Sequence, residues 1–370
     1  MSYAKTVAAV CREFGKPLEI ESLELQAPGP TEALVRVEAA SVCLTDIMMR
    51  SGALPVSLPM VLGHEGSGVV EAIGSEVHRV KPGDRVVMSW IPQCGACFFC
   101  RRGQPHLCEP GSRAVAGHTV TNGETRLRAG VESVRQLSGL GTFATSMVAM
   151  QDALVPVGND VPFEVASVIG CAVLTGFGAA VNTADIRPGD TVVVLGCGGV
   201  GQNIIQGAVI CGAERVIAVD INEMAGKIAL ARGATDFVLN DDGALDAVLE
   251  LTAGRGADVV LESVGRTDAM SVGLSMTRRG GQFVVAGMTR FSDTWTIAPM
   301  PQFTGAERRI LGSRYGSCDI ARDVPRIVDH YRKGELSLSD MLGAHVPLER
   351  VNELFDHPAP AAGRPMVTFG

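Results

Sequence analysis

The 370-residue sequence predicts an α/β protein in which a doubly wound parallel-sheet domain is inserted between two pieces of a β-rich domain. Three observations carry this. Residues 1–90 read as short strands broken by Pro/Gly turns such as "APGP" and "VKPGD". From about residue 173 short apolar strands alternate with segments of helical composition. After about residue 313 the chain returns to mixed character. A length of 370 residues also favours two cores over one.

Taken in order, "MSYAKTVAAVC" has charges beside a short apolar run and no cleavage site, so it reads as a strand of a cytoplasmic protein and not as a signal. "ALVRVEAASVC" and "GSGVVEAIG" are further strands, rich in β-branched residues. "CGACFFCRRGQPHLC", residues 94–108, places four cysteines at C-x2-C-x2-C-x7-C. Cys94, Cys97, Cys100 and Cys108 can converge on one tetrahedral ion, which makes a closed, structural zinc site with no position left for chemistry. Arg101 and Arg102 lie inside the loop, where their charge is expected to help keep the thiols ionised.

Two uncharged stretches, 165–184 and 191–213, are long enough to cross a membrane. Glycines break both, and they read as buried helix and strand. "DTVVVLG", "RVIAVD", "DVVLESV" and "GQFVVAG" are the strands of the parallel sheet, with "EMAGKIALARGA" a helix between them. "RDVPRIVDHYRKGEL" reads as an amphipathic helix and "PMVTF" as a final strand. The formal charge of −8 argues against nucleic acid as a partner, since phosphate binding needs a basic footprint.

"VVVLGCGGVGQN" supplies Gly196, Gly198 and Gly201 as G-x-G-x-x-G, with Gly199 and Val200 between them, directly after one strand and opening a helix. That context marks a dinucleotide site, with the pyrophosphate at a helix N-terminus. The next strand ends in Asp220, placed to accept hydrogen bonds from the ribose of NAD and to repel the extra phosphate of NADP. Three further residues stand out: Cys43 in "CLTD", His64 in "GHEGSG" and Cys171 in "GCAVLTG". A Cys-His-Cys set offers zinc three ligands and leaves one position open, as a catalytic ion requires.

With these motifs in this order, the chain resembles the zinc-dependent medium-chain dehydrogenase/reductase family, the alcohol dehydrogenases, over essentially its whole length. The resemblance implies a GroES-like catalytic domain at 1–172 and 314–370 and a Rossmann NAD-binding domain at 173–313. It also implies two zinc ions per chain, a small-molecule alcohol or aldehyde substrate, and a homodimer or homotetramer. Cys43, His64 and Cys171 then match the catalytic zinc ligands, with Asp46 and Glu65 as carboxylates behind them. Thr45 matches the hydroxyl that takes the substrate proton, Thr175 a nicotinamide contact and Arg364 a pyrophosphate contact. Trp90 and Leu54 fall where pocket-lining residues lie. Three positions depart from common relatives. Leu44 replaces a basic residue that reaches the pyrophosphate, and Met48 replaces a histidine that ends the proton relay. Leu54 stands where the glutathione-dependent formaldehyde branch has an acidic residue. Cys11, Cys197, Cys211 and Cys318 match no ligand role and read as buried neutral thiols. The implied reaction is hydride transfer between an apolar or aromatic alcohol and NAD. The alternatives are a thiol-adduct formaldehyde dehydrogenase of mycothiol or glutathione type, a nicotinoprotein with permanently bound NAD, and a non-catalytic NAD-binding module.

Overall fold

The computed structural model describes residues 3–54, 56–356 and 363–369. The inserted domain is built on a six-stranded sheet in the order Asp236–Leu239, Arg215–Asp220, Thr191–Leu195, Ala257–Glu262, Thr277–Val285, Arg309–Gly312. Every pairing is parallel, and the order is 3-2-1-4-5-6 in chain sequence, the Rossmann arrangement. The central strands are runs of Val, Ile, Leu and Ala because helices cover both faces and no side of the strand meets water. The two outer strands, "DFVL" and "RILG", are four residues long and half exposed. That is why they carry no apolar run and were not among the strands legible in the sequence.

The β-rich part consists of two units. Tyr3–Cys11, Glu19–Gln26, Leu127–Ala129, Glu132–Gln136 and Met60–Val61 close a small barrel. Beside it runs a seven-stranded sheet containing Arg85–Met88, Glu65–Ile73, Glu32–Ser41 and the C-terminal strand Arg364–Thr368. The expected return of the chain after the inserted domain therefore takes the form of a strand. Met366 pairs with Ser41, and Ser41 pairs with Glu65, so three distant segments share one register.

A 21-residue helical run, Phe163–Thr183, lies between the two sheets, and 83% of its most apolar window is buried inside the protein. It is long and apolar enough to cross a membrane, but here it is a core helix. The boundary drawn at 172/173 falls within this run, which packs on both sheets' sides. A Cβ at Gly176 would lie 2.2 Å from the Val200 carbonyl of the helix Gly199–Ile210, so only glycine allows that approach. Two π turns interrupt the run, Ile169–Val173 and Ala179–Thr183. The helix Ile320–Arg332 is present as expected, with Pro325 in its interior.

Candidate active site and dinucleotide cradle

Cys43 precedes the helix Leu44–Arg50 and His64 precedes the strand Glu65–Ile73; one buried carboxylate ties the two together. Asp46 is fully buried. Its Oδ2 accepts from the Cys43 N–H at 2.9 Å, and its Oδ1 accepts from the Gly63 N–H at 3.0 Å. The same Oδ1 lies 3.1 Å from His64 Nδ1. A proton on Nδ1 in this contact leaves Nε2 free as a ligand, the usual geometry behind a metal-bound histidine. Burial works to lower the His64 pKa, but the Asp46 carboxylate outweighs it and the net shift is upward.

Cys171 arrives from the π turn of the long helix. The ligand atoms of Cys43, His64, Glu65 and Cys171 lie within 4.8 Å of one another, and all four residues are buried. This donor set fits a zinc ion. The contact between the thiols draws the Cys43 pKa down and pushes the Cys171 pKa up. Glu65 sits close enough to be a fourth ligand, which the sequence did not suggest, but its oxygens are engaged elsewhere. Oε1 accepts from Arg364 at 2.5 Å and Oε2 accepts from the Ser41 hydroxyl. Burial raises the Glu65 pKa to about 7, with the Arg364 guanidinium opposing the shift. Thr45 Oγ1 lies 3.7 Å from Cys43 Sγ, at the edge of the cluster.

Cys94, Cys97, Cys100 and Cys108 form a second cluster of the same compactness. Cys97 opens the short helix Phe98–Arg101 and Cys108 opens Glu109–Gly117, so helix starts present two of the thiols. Burial works to raise the Cys97 pKa, yet the backbone N–H groups of Cys100 and Glu109 bring it down to about 6. The expected help from the arginines is not what the structure contains. Arg101 donates to the Ala96 carbonyl at 2.6 Å, and Arg102 stacks over the Phe98 ring at 5.2 Å. At Cys97 the groups that favour the thiolate are backbone N–H groups.

The fingerprint turn is built as its glycines require. Gly196 has φ +84°, and a Cβ at Gly201 would lie 1.8 Å from the Gly196 carbonyl. A Cβ at Gly198 would meet nothing within 4 Å, which leaves open space where a pyrophosphate needs it. Asp220, at the end of its strand, accepts from the Cys197 N–H at 2.6 Å and the Asn222 N–H at 2.9 Å. It therefore shapes the turn. Arg364 links the two sites. One terminal nitrogen donates to Glu65 and lies 3.7 Å from Cys43 Sγ. A Cβ on Gly199 would lie 3.0 Å from its Nε, an atom that is buried with no partner among the described residues.

Thr175 is half-buried in the same helical run as Cys171. Trp90 meets Tyr315 edge-on at 4.8 Å between ring centres, and Leu54 is buried. Met48 is half-buried and Leu44 exposed on the Cys43 helix. Cys11, Cys197 and Cys318 are buried and Cys211 half-buried, and burial raises all four thiol pKa values. The sequence carried no signal for the Ser41–Glu65–Arg364–Cys43 network, because its members are up to 323 positions apart.

Residues 29–159 match the alcohol dehydrogenase GroES-like domain, and residues 199–332 match the zinc-binding dehydrogenase domain. The chain is 37% identical over 352 residues to alcohol dehydrogenase B of Mycobacterium tuberculosis, covering 94% of each chain. It is 37% identical over 355 residues to the NDMA-dependent alcohol dehydrogenase of Amycolatopsis methanolica, again covering 94% of each. Among solved structures it resembles benzyl alcohol dehydrogenase from Acinetobacter calcoaceticus with a TM-score of 0.92 at 30% identity, covering 99% of this chain and 100% of that one.

Proposed function

This chain belongs to the zinc-dependent medium-chain dehydrogenase/reductase family of alcohol dehydrogenases, and we propose that it transfers hydride between an apolar or aromatic alcohol and NAD, giving the aldehyde or ketone. The observation that carries this reading is the convergence of Cys43, His64 and Cys171 beside Thr45, with Arg364 spanning from that cluster to Gly199. A zinc ion held by Cys43, His64 and Cys171 would supply Lewis-acid chemistry, polarising the substrate oxygen and making loss of its proton accessible near neutral pH. Asp46 orients the imidazole and fixes the Cys43 backbone. Thr45 receives the substrate proton at the rim of the cluster. Gly196, Gly198, Gly199, Val200 and Gly201 take the pyrophosphate, Asp220 the ribose and Thr175 the nicotinamide side. Trp90 and Leu54 line the substrate end, and the likeness to benzyl alcohol dehydrogenase supports a substrate with a ring. The four-cysteine lobe holds a second zinc ion per chain.

The working form is a homodimer or homotetramer. All ten cysteines are free thiols, which suits a reducing cytoplasm. The likeness to an NDMA-dependent enzyme favours one further reading, a nicotinamide that stays bound through turnover. The deciding experiment is NADH formation across a series of alcohols, with and without added thiols, alongside zinc and bound-nucleotide content per chain. About two zinc ions and alcohol-dependent NADH release support the proposal. Turnover only with an artificial hydride acceptor, and with nucleotide co-purifying, supports the bound-cofactor form. Absence of oxidation of any alcohol under both regimes would return the chain to a non-catalytic module.

A further inference from the structure

The turn after the last strand of the parallel sheet is unusual. Tyr315, Gly316 and Ser317 take φ of +53°, +64° and +50° in succession, a left-handed conformation that costs a tyrosine or a serine free energy. Such a turn persists only where its surroundings hold it, and here the surroundings are the helical run that carries Cys171. A Cβ on Gly316 would lie 2.3 Å from the Leu174 carbonyl, so the turn is pressed directly against that helix. Thr183 Oγ1 lies 2.8 Å from both Ser313 Oγ and Ser317 Oγ, and Asn182 Nδ2 donates to the Gly316 carbonyl at 3.3 Å.

The side chains of this turn reach the π turn itself. A change from α to π hydrogen bonding shifts the register by one residue, so carbonyls at the changeovers depend on donors from outside the ladder. The Tyr315 hydroxyl donates to the Gly170 carbonyl at 2.5 Å, at the residue before Cys171. Cys318 Sγ donates to the Leu174 carbonyl at 3.1 Å, at the first residue after the π turn. Thus one donor stands at each side of Cys171, and both are buried. Tyr315 also lies 3.0 Å from Ser89 Oγ and packs edge-on against Trp90.

We propose that Tyr315 and Cys318 are positioning residues that hold the π turn open and thereby aim Cys171 at the metal position. This assigns Cys318 a role that its lack of ligand partners conceals, and it rests on Cys171 being a zinc ligand. The strain in the 315–317 turn is the local cost of bringing both donors to one face of the helix.

The test uses full-length protein loaded with zinc or with cobalt, whose visible absorption reports thiolate ligation. Tyr315→Phe keeps the ring but removes the donor to Gly170. It should speed zinc loss to a chromogenic chelator from the Cys43 site by about ten-fold and change the cobalt spectrum, because partners behind the ligands govern metal affinity on that scale. Cys318→Ala should do the same, while Cys318→Ser, which keeps a donor, should restore both readouts towards wild type. Loss of thermal stability with unchanged chelation rate and cobalt spectrum would make these residues ordinary core and overturn the proposal, as would equal behaviour of Cys318→Ala and Cys318→Ser. Cys171→Ser separates the two levels. If it retains both metals, the ligand assignment itself fails; if it loses one while Tyr315→Phe matches wild type, only the positioning role fails.

Discussion

A single carboxylate at the end of a strand decides two things about the dinucleotide site. Asp220 accepts from the backbone N–H of Cys197, inside the glycine fingerprint, and from that of Asn222. In the proposed NAD site its charge would face a 2′-phosphate, so NADP would meet repulsion and no donor. Asp220→Ser should therefore admit NADP and narrow the preference by at least about ten-fold. Because the same carboxylate shapes the turn, NAD should also bind more weakly than loss of a ribose contact alone would give. Specificity constants for both nucleotides in both proteins check this. A native enzyme equally active with NAD and NADP would remove the role given to Asp220.

Within single elements, the four-cysteine lobe makes two expectations. Cys97→Ser should release about one zinc per chain and lower stability, with activity lost through unfolding or assembly and not through a specific loss of chemistry. A folded variant with full zinc content would contradict a closed thiolate site. The helix Glu109–Gly117 that follows ends on His118, at φ +53° and buried. Burial, reinforced by Arg135, lowers its pKa to about 4. The unfolded chain takes up that proton near the ordinary value, and the folded protein resists it until about pH 4. The unfolded state therefore binds more protons across this window. Stability from His118 is complete above about pH 6.5 and falls as pH drops to about 4, by about 3 kcal/mol at most. His118→Asn tolerates the left-handed cap and does not titrate, so its urea midpoint should fall less steeply over that interval. Parallel curves for the two proteins would place the acid sensitivity elsewhere.

At the scale of the whole molecule, Arg364 is the residue through which the C-terminal strand reaches both the cysteine–histidine cluster and the fingerprint helix. Pairing of Met366 with Ser41, and the hydrogen bond from the Val42 N–H to the Pro365 carbonyl at 2.9 Å, bring its guanidinium between Glu65 and Gly199. Arg364→Gln removes the counter-charge from a fully buried carboxylate. Breaking one side of such a pair costs about 3–5 kcal/mol, and the Glu65 pKa should move further up from about 7. NAD should bind more weakly at the same time, since Nε, with no partner among the described residues, lies at the start of the fingerprint helix. Denaturation midpoints and nucleotide titrations report the two losses separately. Loss of stability with unchanged NAD affinity would confine Arg364 to the metal side.

The motifs legible in the chain are those whose function demands a local pattern. Four thiols around one ion need close spacing, and the pyrophosphate turn needs glycines at fixed intervals, so both are written in consecutive residues. Strands buried on both faces must be apolar throughout, which exposed the centre of the parallel sheet and hid its two half-exposed edges. Sequence alone therefore determined the inserted α/β domain, the two cysteine sets and the glycine fingerprint with Asp220 at the end of the next strand. It could not show that Asp46 joins two ligand segments, that Glu65 is engaged by Ser41 and Arg364, or that Cys171 rides a π turn held by Tyr315 and Cys318. Those contacts follow from strand register and helix packing between segments up to three hundred residues apart. No local periodicity encodes them, because a buried hydrogen bond constrains where two groups meet in space and not how far apart they lie along the chain.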